Sequence, residues 1–190
     1  MRLILASVSP RRREILRALG VEFEPFEPDV EEVREGHAEE VVLENARRKA
    51  RAPTADAAPG AVVLGADTEV ALDGQVLGKP GGEEEARRHL EALSGRTHAV
   101  LTGVVLLGPR TAQGEASERS GVARSTVTFR HLDAATLERY VASGEWRGRA
   151  GAYAIQGLGS ILIDRLEGDF SNVVGLPVPL LLELAPELFA

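Results

Sequence analysis

Hydroxyls and cations crowd together near the start of the chain, where Ser7-Val8-Ser9-Pro10-Arg11-Arg12-Arg13-Glu14 follows the apolar run Leu3-Ile4-Leu5-Ala6. A short strand turning into a helix there would bring hydroxyls, free backbone N–H groups and the positive end of the helix dipole to one point, which suits a phosphate. Cations in a first helical turn oppose that dipole at about 0.3–1 kcal/mol each unless an anion offsets them. The arginine triplet therefore either serves an anion or is solvated surface charge that Glu14 partly compensates. A second candidate is Asp67 of Ala66-Asp67-Thr68, after the apolar run Ala61–Ala66. A carboxylate at the C-terminal end of a strand lies where open α/β sheets bind ligands. It can hold Mg²⁺ or take a proton from an attacking water, or it can simply cap its own turn.

Lysine occurs only at Lys49 and Lys79, every other basic residue except histidine being arginine. A compact, mobile ammonium is not interchangeable with a guanidinium where a phosphate must be reached. Lys79 lies in Leu77-Gly78-Lys79-Pro80 soon after Asp67, and Lys49 borders an apolar helical face, so either position fits such a need or is chance. The acidic connector with Asp29, Glu31 and Glu32 offers a second metal-side carboxylate or a solvated face. Gly148 to Gly157 is rich in small residues, as where backbone packs close to a ligand or strand. Within it Gln156 carries an amide able to read the donor and acceptor edge of a base. His37, His89, His98 and His131 show no metal-site spacing, and His98, Tyr140 and Trp146 read as structural.

The elements that must carry these groups follow from pattern. Ser9 and Pro10 open a helix as N-cap hydroxyl and first-turn proline, with Ile15, Leu16 and Leu19 on one face before Gly20. Val21–Phe26 is a short strand, and Glu39–Arg51 a helix with Val42, Ala46 and Ala50 inward. After a turn over residues 53–60, strand Ala61–Ala66 ends on Asp67-Thr68, a second strand covers Glu69–Leu72, and Asp73-Gly74 signals a hairpin. Helix Glu83–Leu93, strand His98–Leu107, polar loop Arg110–Arg119, strand Ser125–Arg130 and helix Ala134–Ser143 come next. Gly144–Gly159 is irregular loop around a short element, Ser160–Arg165 a strand, and Val178–Leu188 a closing helix. Strands and helices alternate without a strict βαβ period, which gives an α/β protein with a mixed β-sheet, flanking helices and two lobes around a cleft.

Bulk properties narrow the function. A chain of 190 residues, 44% hydrophobic, can bury one good core. Its net charge of −7 repels polyanions, so no nucleic acid polymer is expected as partner. Cysteine is absent, which excludes disulfides and thiol chemistry. No apolar run approaches the roughly 18–20 residues of a membrane span, and the expectation is a cytoplasmic protein without membrane contact.

The motifs LASVSPRR, VEE at Val30-Glu31-Glu32, ARRKA ending at Ala50, GADT, LGKP, LSGRTH, AGAYAIQG and GDFSNVVGLP occur in the order of one family, and the chain resembles the Maf proteins, nucleoside triphosphate pyrophosphatases also described as septum-formation inhibitors. Ala154 departs from the glycine usual there. The resemblance implies a single Maf-like domain over residues 1–190, a fold related to that of inosine triphosphatases, and a nucleotide cleft. It implies cleavage of a nucleoside triphosphate between the α and β phosphates with a divalent metal cation, Mg²⁺ or Mn²⁺, and a homodimer is what it suggests. Asp67 takes the position of the proton acceptor. Ser7, Arg11, Arg12, Lys49 and Lys79 map onto the phosphate side, and Glu32 joins Asp67 on the metal side. One branch of the family cleaves dTTP and UTP; the other prefers 7-methyl-GTP and carries tryptophan at the Arg11 position and carboxylates at the Thr68 and Gln156 positions. Arg11, Thr68 and Gln156 suit a neutral base, as in the first branch. The alternatives are 7-methyl-GTP or inosine triphosphate as substrate, or a nucleotide-binding regulator of septum formation. Arg13 is expected at the surface beside Glu14.

Overall fold

The computed structural model describes residues 2–53, 60–109 and 116–189. Strands β1 (Leu3–Ala6) and β2 (Glu24–Phe26) flank helix α1 (Pro10–Ala18); α2 (Ala38–Arg51) precedes the long strand β3 (Val62–Leu72). Strand β4 (Gln75–Leu77), helix α3 (Glu83–Leu93), strands β5 (Thr97–Leu107) and β6 (Glu118–Phe129) and helix α4 (Ala134–Ser143) follow. The chain ends with β7 (Ile163–Glu167), α5 (Phe170–Val174) and α6 (Val178–Leu184). The sheet is mixed, in the order β2-β1-β3-β5-β6-β7 with β4 also on β3. No helix among the described residues is long and apolar enough to cross a membrane.

The decisive feature is the edge of β3. On one side β5 pairs with it antiparallel from Val63 to Ala71. On the other, β1 pairs parallel as far as Gly65 and β4 antiparallel from Val70, so the stretch Ala66–Glu69 has no strand beside it there among the described residues. Apolar side chains pack on either side of this break. One cluster gathers Leu3, Leu16, Leu64, Leu106 and Leu181, and another Leu90, Phe129, Tyr140, Trp146 and Leu162. These are the two lobes, and the gap between them is the mouth of a cleft.

Helix α2 lies on the opposite face of the sheet at unusually close range. A Cβ at Gly65 would sit 2.2 Å from the Ala46 carbonyl oxygen, and one at Gly103 would sit 2.4 Å from that of Val42. Because Gly103 pairs with Asp67, the two glycines seat the helix directly over the carboxylate. Asp73-Gly74 forms the expected hairpin turn, with φ of 52° and 81°.

Several boundaries differ from the sequence reading, each for a local reason. Asp67-Thr68 does not end a strand: β3 runs through it, because β5 pairs throughout and the carboxylate finds partners on α2. The expected loop Arg110–Arg119 partly belongs to β6, whose first residues pair their charges, Glu118 with Arg47 and Arg119 with Glu187. The rest of that expectation, at 110–115, lies outside the described residues, as does the turn at 54–59. The expected strand at Ser160 starts only at Ile163. Residues Gly157–Leu162 instead form a 3₁₀ segment, in which the Leu158 and Gly159 amides bond to the Glu145 carboxylate. The closing helix breaks at Ala185, since Pro186 disfavours helical backbone in the residue before it. Ser9 sits at the N-cap of α1 without a side-chain capping bond, and Leu19 is exposed rather than inward. The short helix α5, capped by Asp169, was not expected.

Candidate functional site

The cleft at the bare edge of β3 measures about 500 Å³, within the usual range of roughly 300–1,000 Å³ for ligand pockets. Ser7, Arg11, Arg12, Glu32, Lys49, Asp67, Thr68, Lys79 and Gln156 all line it. Residues separated by as much as 149 positions in sequence are thus brought to one place. A second hollow of about 600 Å³ lies between the start of α2 and the β3-β5-β6 face and contains none of them.

Successive β3 side chains point to opposite faces, so Asp67 and Thr68 enter two different networks. Asp67 faces α2. Its Oδ1 accepts from Lys49 Nζ at 2.6 Å and its Oδ2 from Asn45 Nδ2 at 3.1 Å. Lys49 and Asn45 are one helical turn apart on α2, which the glycine contacts hold against the sheet. Asn45 also exchanges bonds with the Val33 backbone, at 2.7 and 2.9 Å, and so ties down the acidic connector. On that connector Glu32 reaches Lys49 at 2.5 Å and Lys79 at 3.5 Å. Burial alone would raise the Glu32 carboxyl, but the two ammoniums outweigh it and hold its pKa below the ordinary value. Lys49 thus stands between two carboxylates, both facing the cleft.

Thr68 looks the other way, toward α1. Its Oγ1 accepts from Arg12 Nη2 at 2.9 Å and shares a hydrogen bond of 2.9 Å with Thr102, whose hydroxyl donates to the Asn172 carbonyl. Arg12 Nε donates to the Gly175 carbonyl at 2.7 Å and Nη1 to Ser7 Oγ at 3.1 Å. Three neutral acceptors therefore fix a guanidinium that is only 7% exposed and that forms no ion pair among the described residues. Burial lowers its pKa, with Asp67 and Glu32 opposing from a distance. Ser7 Oγ also accepts from the Ser9 amide at 3.2 Å, which orders the turn into α1.

Arg11 is half-buried, and Nε donates to the Val174 carbonyl at 3.2 Å. Burial, then the charges of Arg149 and Arg12, lower its pKa to about 10, which leaves it cationic at neutral pH. Arg13 is not beside Glu14 as expected. It is half-buried, donates to the Ser7 carbonyl and reaches Glu27 at 3.6 Å. Gln156 is exposed at the far wall, where its amide makes no hydrogen bond to a described residue.

Some contributors escaped the sequence reading. Asn45 carries a legible signal, since it lies four residues before Lys49 on the same helix face. Glu69 lies two residues after Asp67 in the same strand and hence on the same face; the expected strand break at Asp67-Thr68 hid that relation. It is 7% exposed, burial and then Asp67 raise its pKa to about 8, and its Oε2 has no hydrogen-bond partner. Arg147 and Arg149 also line the cleft. His98 is structural as expected: it is buried, hydrogen-bonds Tyr153 at 2.8 Å, and burial lowers its pKa to about 4. Tyr140 accepts from the Ala154 amide and Trp146 donates to the Val141 carbonyl, so both serve packing.

The cleft therefore joins a carboxylate pair held by ammoniums, a buried cation held by neutral acceptors, and an exposed amide. Such a set can neutralise a chain of phosphates, position a water, and read a base. A family model described as Maf-like protein matches residues 2–188. A Deinococcus radiodurans protein described as a dTTP/UTP pyrophosphatase is 48% identical over 184 residues, covering 96% of this chain and 91% of that one. Proteins of the same description from an Anaeromyxobacter species and from Thermococcus kodakarensis are 51% and 44% identical, covering 93% and 96% of this chain and 84% and 94% of theirs. The solved Ham1 protein of Staphylococcus aureus overlaps 67% of this chain and 72% of its own at 17% identity, with a TM-score of 0.41.

Proposed function

The chain belongs to the Maf-like family, and from that premise we propose that it is a nucleoside triphosphate pyrophosphatase acting on dTTP and UTP as one catalytic unit in the cytoplasm. Water attacks the α-phosphorus, the bond from that phosphorus to the bridging oxygen breaks, and the products are the nucleoside monophosphate and pyrophosphate. The observation that carries this reading is Arg12: a buried cation with three neutral partners and no ion pair among the described residues, in a cleft that also holds Asp67, Lys49 and Glu32. The names of relatives covering most of the chain supply the substrate pair.

Phosphoryl transfer needs positioning and charge neutralisation more than covalent chemistry. Arg12, rigidly held, meets the phosphates from the α1 side with Ser7 and the α1 amides. Lys79, about half exposed, reaches them from the β4 side. Asp67 orients the water and accepts its proton. Lys49 and Asn45 fix the direction of that carboxylate, each using one oxygen and leaving further lone pairs free. Gln156 offers N–H and C=O to the imide edge of uracil or thymine, while Arg11 and Thr68 leave no carboxylate for a cationic base.

The donor set fits a divalent cation, Mg²⁺ or Mn²⁺. Glu32 and Asp67, both lining the cleft, supply the one or two carboxylates that Mg²⁺ usually takes from a protein beside substrate phosphates. Such an ion, when bound, would neutralise phosphate charge as it develops.

The test is a triphosphate panel with Mg²⁺ or Mn²⁺ on wild type and Asp67→Asn. The expected result is turnover of dTTP and UTP, a loss of at least about 100-fold in the variant, and retained dTTP binding. Preference for 7-methyl-GTP or inosine triphosphate would overturn the substrate, and near-normal turnover by Asp67→Asn would remove that residue from the role of base.

A further inference from the structure

Two guanidiniums in the cleft are held in a way that no group among the described residues explains. Arg11 comes from α1, in the lobe built on Leu16 and Leu64. Arg149 comes from the segment after α4, next to Trp146 and Ala152 of the other lobe. Among the described residues each makes a single hydrogen bond, from Nε to a neutral carbonyl: Arg11 to Val174 at 3.2 Å, Arg149 to Glu145 at 2.5 Å. The terminal amino groups of both forks bond to no described residue, and neither side chain forms an ion pair among the described residues. The Glu145 carboxylate could have neutralised Arg149. It accepts instead from the Leu158 and Gly159 amides at 3.0 and 3.1 Å. Both residues line the cleft, and, after burial, the charge of Arg149 does most to lower the Arg11 pKa.

Two like charges anchored at the neck, with open forks and a nearby carboxylate committed elsewhere, form half of an anion site. Guanidinium forks match phosphate oxygens two at a time. We infer that Arg11 and Arg149 form a clip that grips the oligophosphate of the bound nucleotide from both lobes, and that closing it draws the segment carrying Gln156 toward the base. Base readout then depends on phosphate capture: the lobes approach only when an anion cancels the repulsion between the two arginines. The inference rests on the pyrophosphatase reading and extends it to how the lobes engage substrate.

Isothermal titration with inorganic pyrophosphate in the presence of Mg²⁺, on wild type, Arg11→Ala, Arg149→Ala, the double variant and Arg149→Lys, tests the clip. Each alanine variant should weaken binding about 10- to 100-fold, the usual range for a charge-assisted hydrogen bond. The double variant should lose less than the product of the single losses, because either arginine alone leaves an open clip. Arg149→Lys should fall between wild type and Arg149→Ala, and it serves as the test if the alanine variant does not fold. Without anion, the melting temperature of Arg149→Ala should equal or exceed that of wild type, since a repulsion is removed. Unchanged pyrophosphate affinity in Arg149→Ala, strictly multiplicative losses, or a lower anion-free melting temperature would each overturn the clip. A parallel dTTP assay on wild type separates the two ideas. Hydrolysis without the expected losses removes only the clip, and the expected losses without hydrolysis remove only the assigned reaction.

Discussion

Replacing Gly65 with alanine tests whether the seat of α2 sets the chemistry. The added methyl would lie 2.2 Å from the Ala46 carbonyl oxygen, 2.7 Å from the Ala50 nitrogen and 2.8 Å from the Ala50 Cβ. The first two are backbone atoms of α2, so no rotamer change relieves the clash. An ordinary C···O approach of about 3.3 Å requires α2 to withdraw by about 1 Å. If the helix moves as a body, the Lys49–Asp67 contact, now 2.6 Å, opens beyond hydrogen-bonding range. Overpacking of this kind costs about 1–3 kcal/mol, and displacing a group that aligns a reacting carboxylate by about 1 Å costs on the order of 100-fold in rate. Gly82→Ala is the control, since a Cβ there meets nothing within 4 Å. Urea unfolding and steady-state dTTP hydrolysis should show Gly65→Ala impaired in both and Gly82→Ala near wild type. If Gly65→Ala matched the control in midpoint and turnover, the close seat of α2 would not position Lys49, and the reasoning would fail.

Lys49→Met strands the Asp67 carboxylate, which is 3% exposed, and should destabilise the protein by about 3–5 kcal/mol; adding Asp67→Asn should recover part of that in urea unfolding, and wild-type stability in the single variant would refute the pairing. For His98, burial lowers the pKa from 6.5 to about 4, so the unfolded chain binds more protons between those values and stability falls as pH drops through that window. From pH 7 to pH 5 this one group should remove about 2 kcal/mol. His98→Gln should lack that share of the loss, and parallel pH profiles for variant and wild type would count against a neutral buried imidazole.

Much of this arrangement was legible in the sequence because it depends on local chemistry. The strand-to-helix turn at Ser9-Pro10, the Asp73-Gly74 hairpin, helices Glu83–Leu93 and Ala134–Ser143, and the scarcity of lysine each carry their own signal, and the residues they marked share one cleft. What escaped depends on partners far away in the chain. Asp67-Thr68 resembles a strand end because a carboxylate in a buried strand is costly, and only Lys49 and Asn45 from α2 remove that cost. The start of β6 reads as loop because its charges are exposed in sequence but paired in space, Glu118 with Arg47. Glu69 vanished with the false strand break, although its spacing from Asp67 would have placed it on the same face of a continuous strand.

The same distinction separates the three arginines that open α1. Sequence alone sets all three against the helix dipole, yet their partners give them different tasks. Arg13 pairs with the Glu27 carboxylate and donates to the Ser7 carbonyl. Arg12 forms no ion pair among the described residues: the Gly175 carbonyl, Ser7 Oγ and Thr68 Oγ1 fix its direction without cancelling its charge. A carboxylate in their place would stabilise the empty protein and would have to be displaced by every incoming phosphate. Neutral acceptors leave the buried charge uncompensated until an anion arrives, so the stability forgone in the free state becomes affinity in the bound one. That exchange is strongest where the guanidinium is already rigid, since little further ordering is then required on binding.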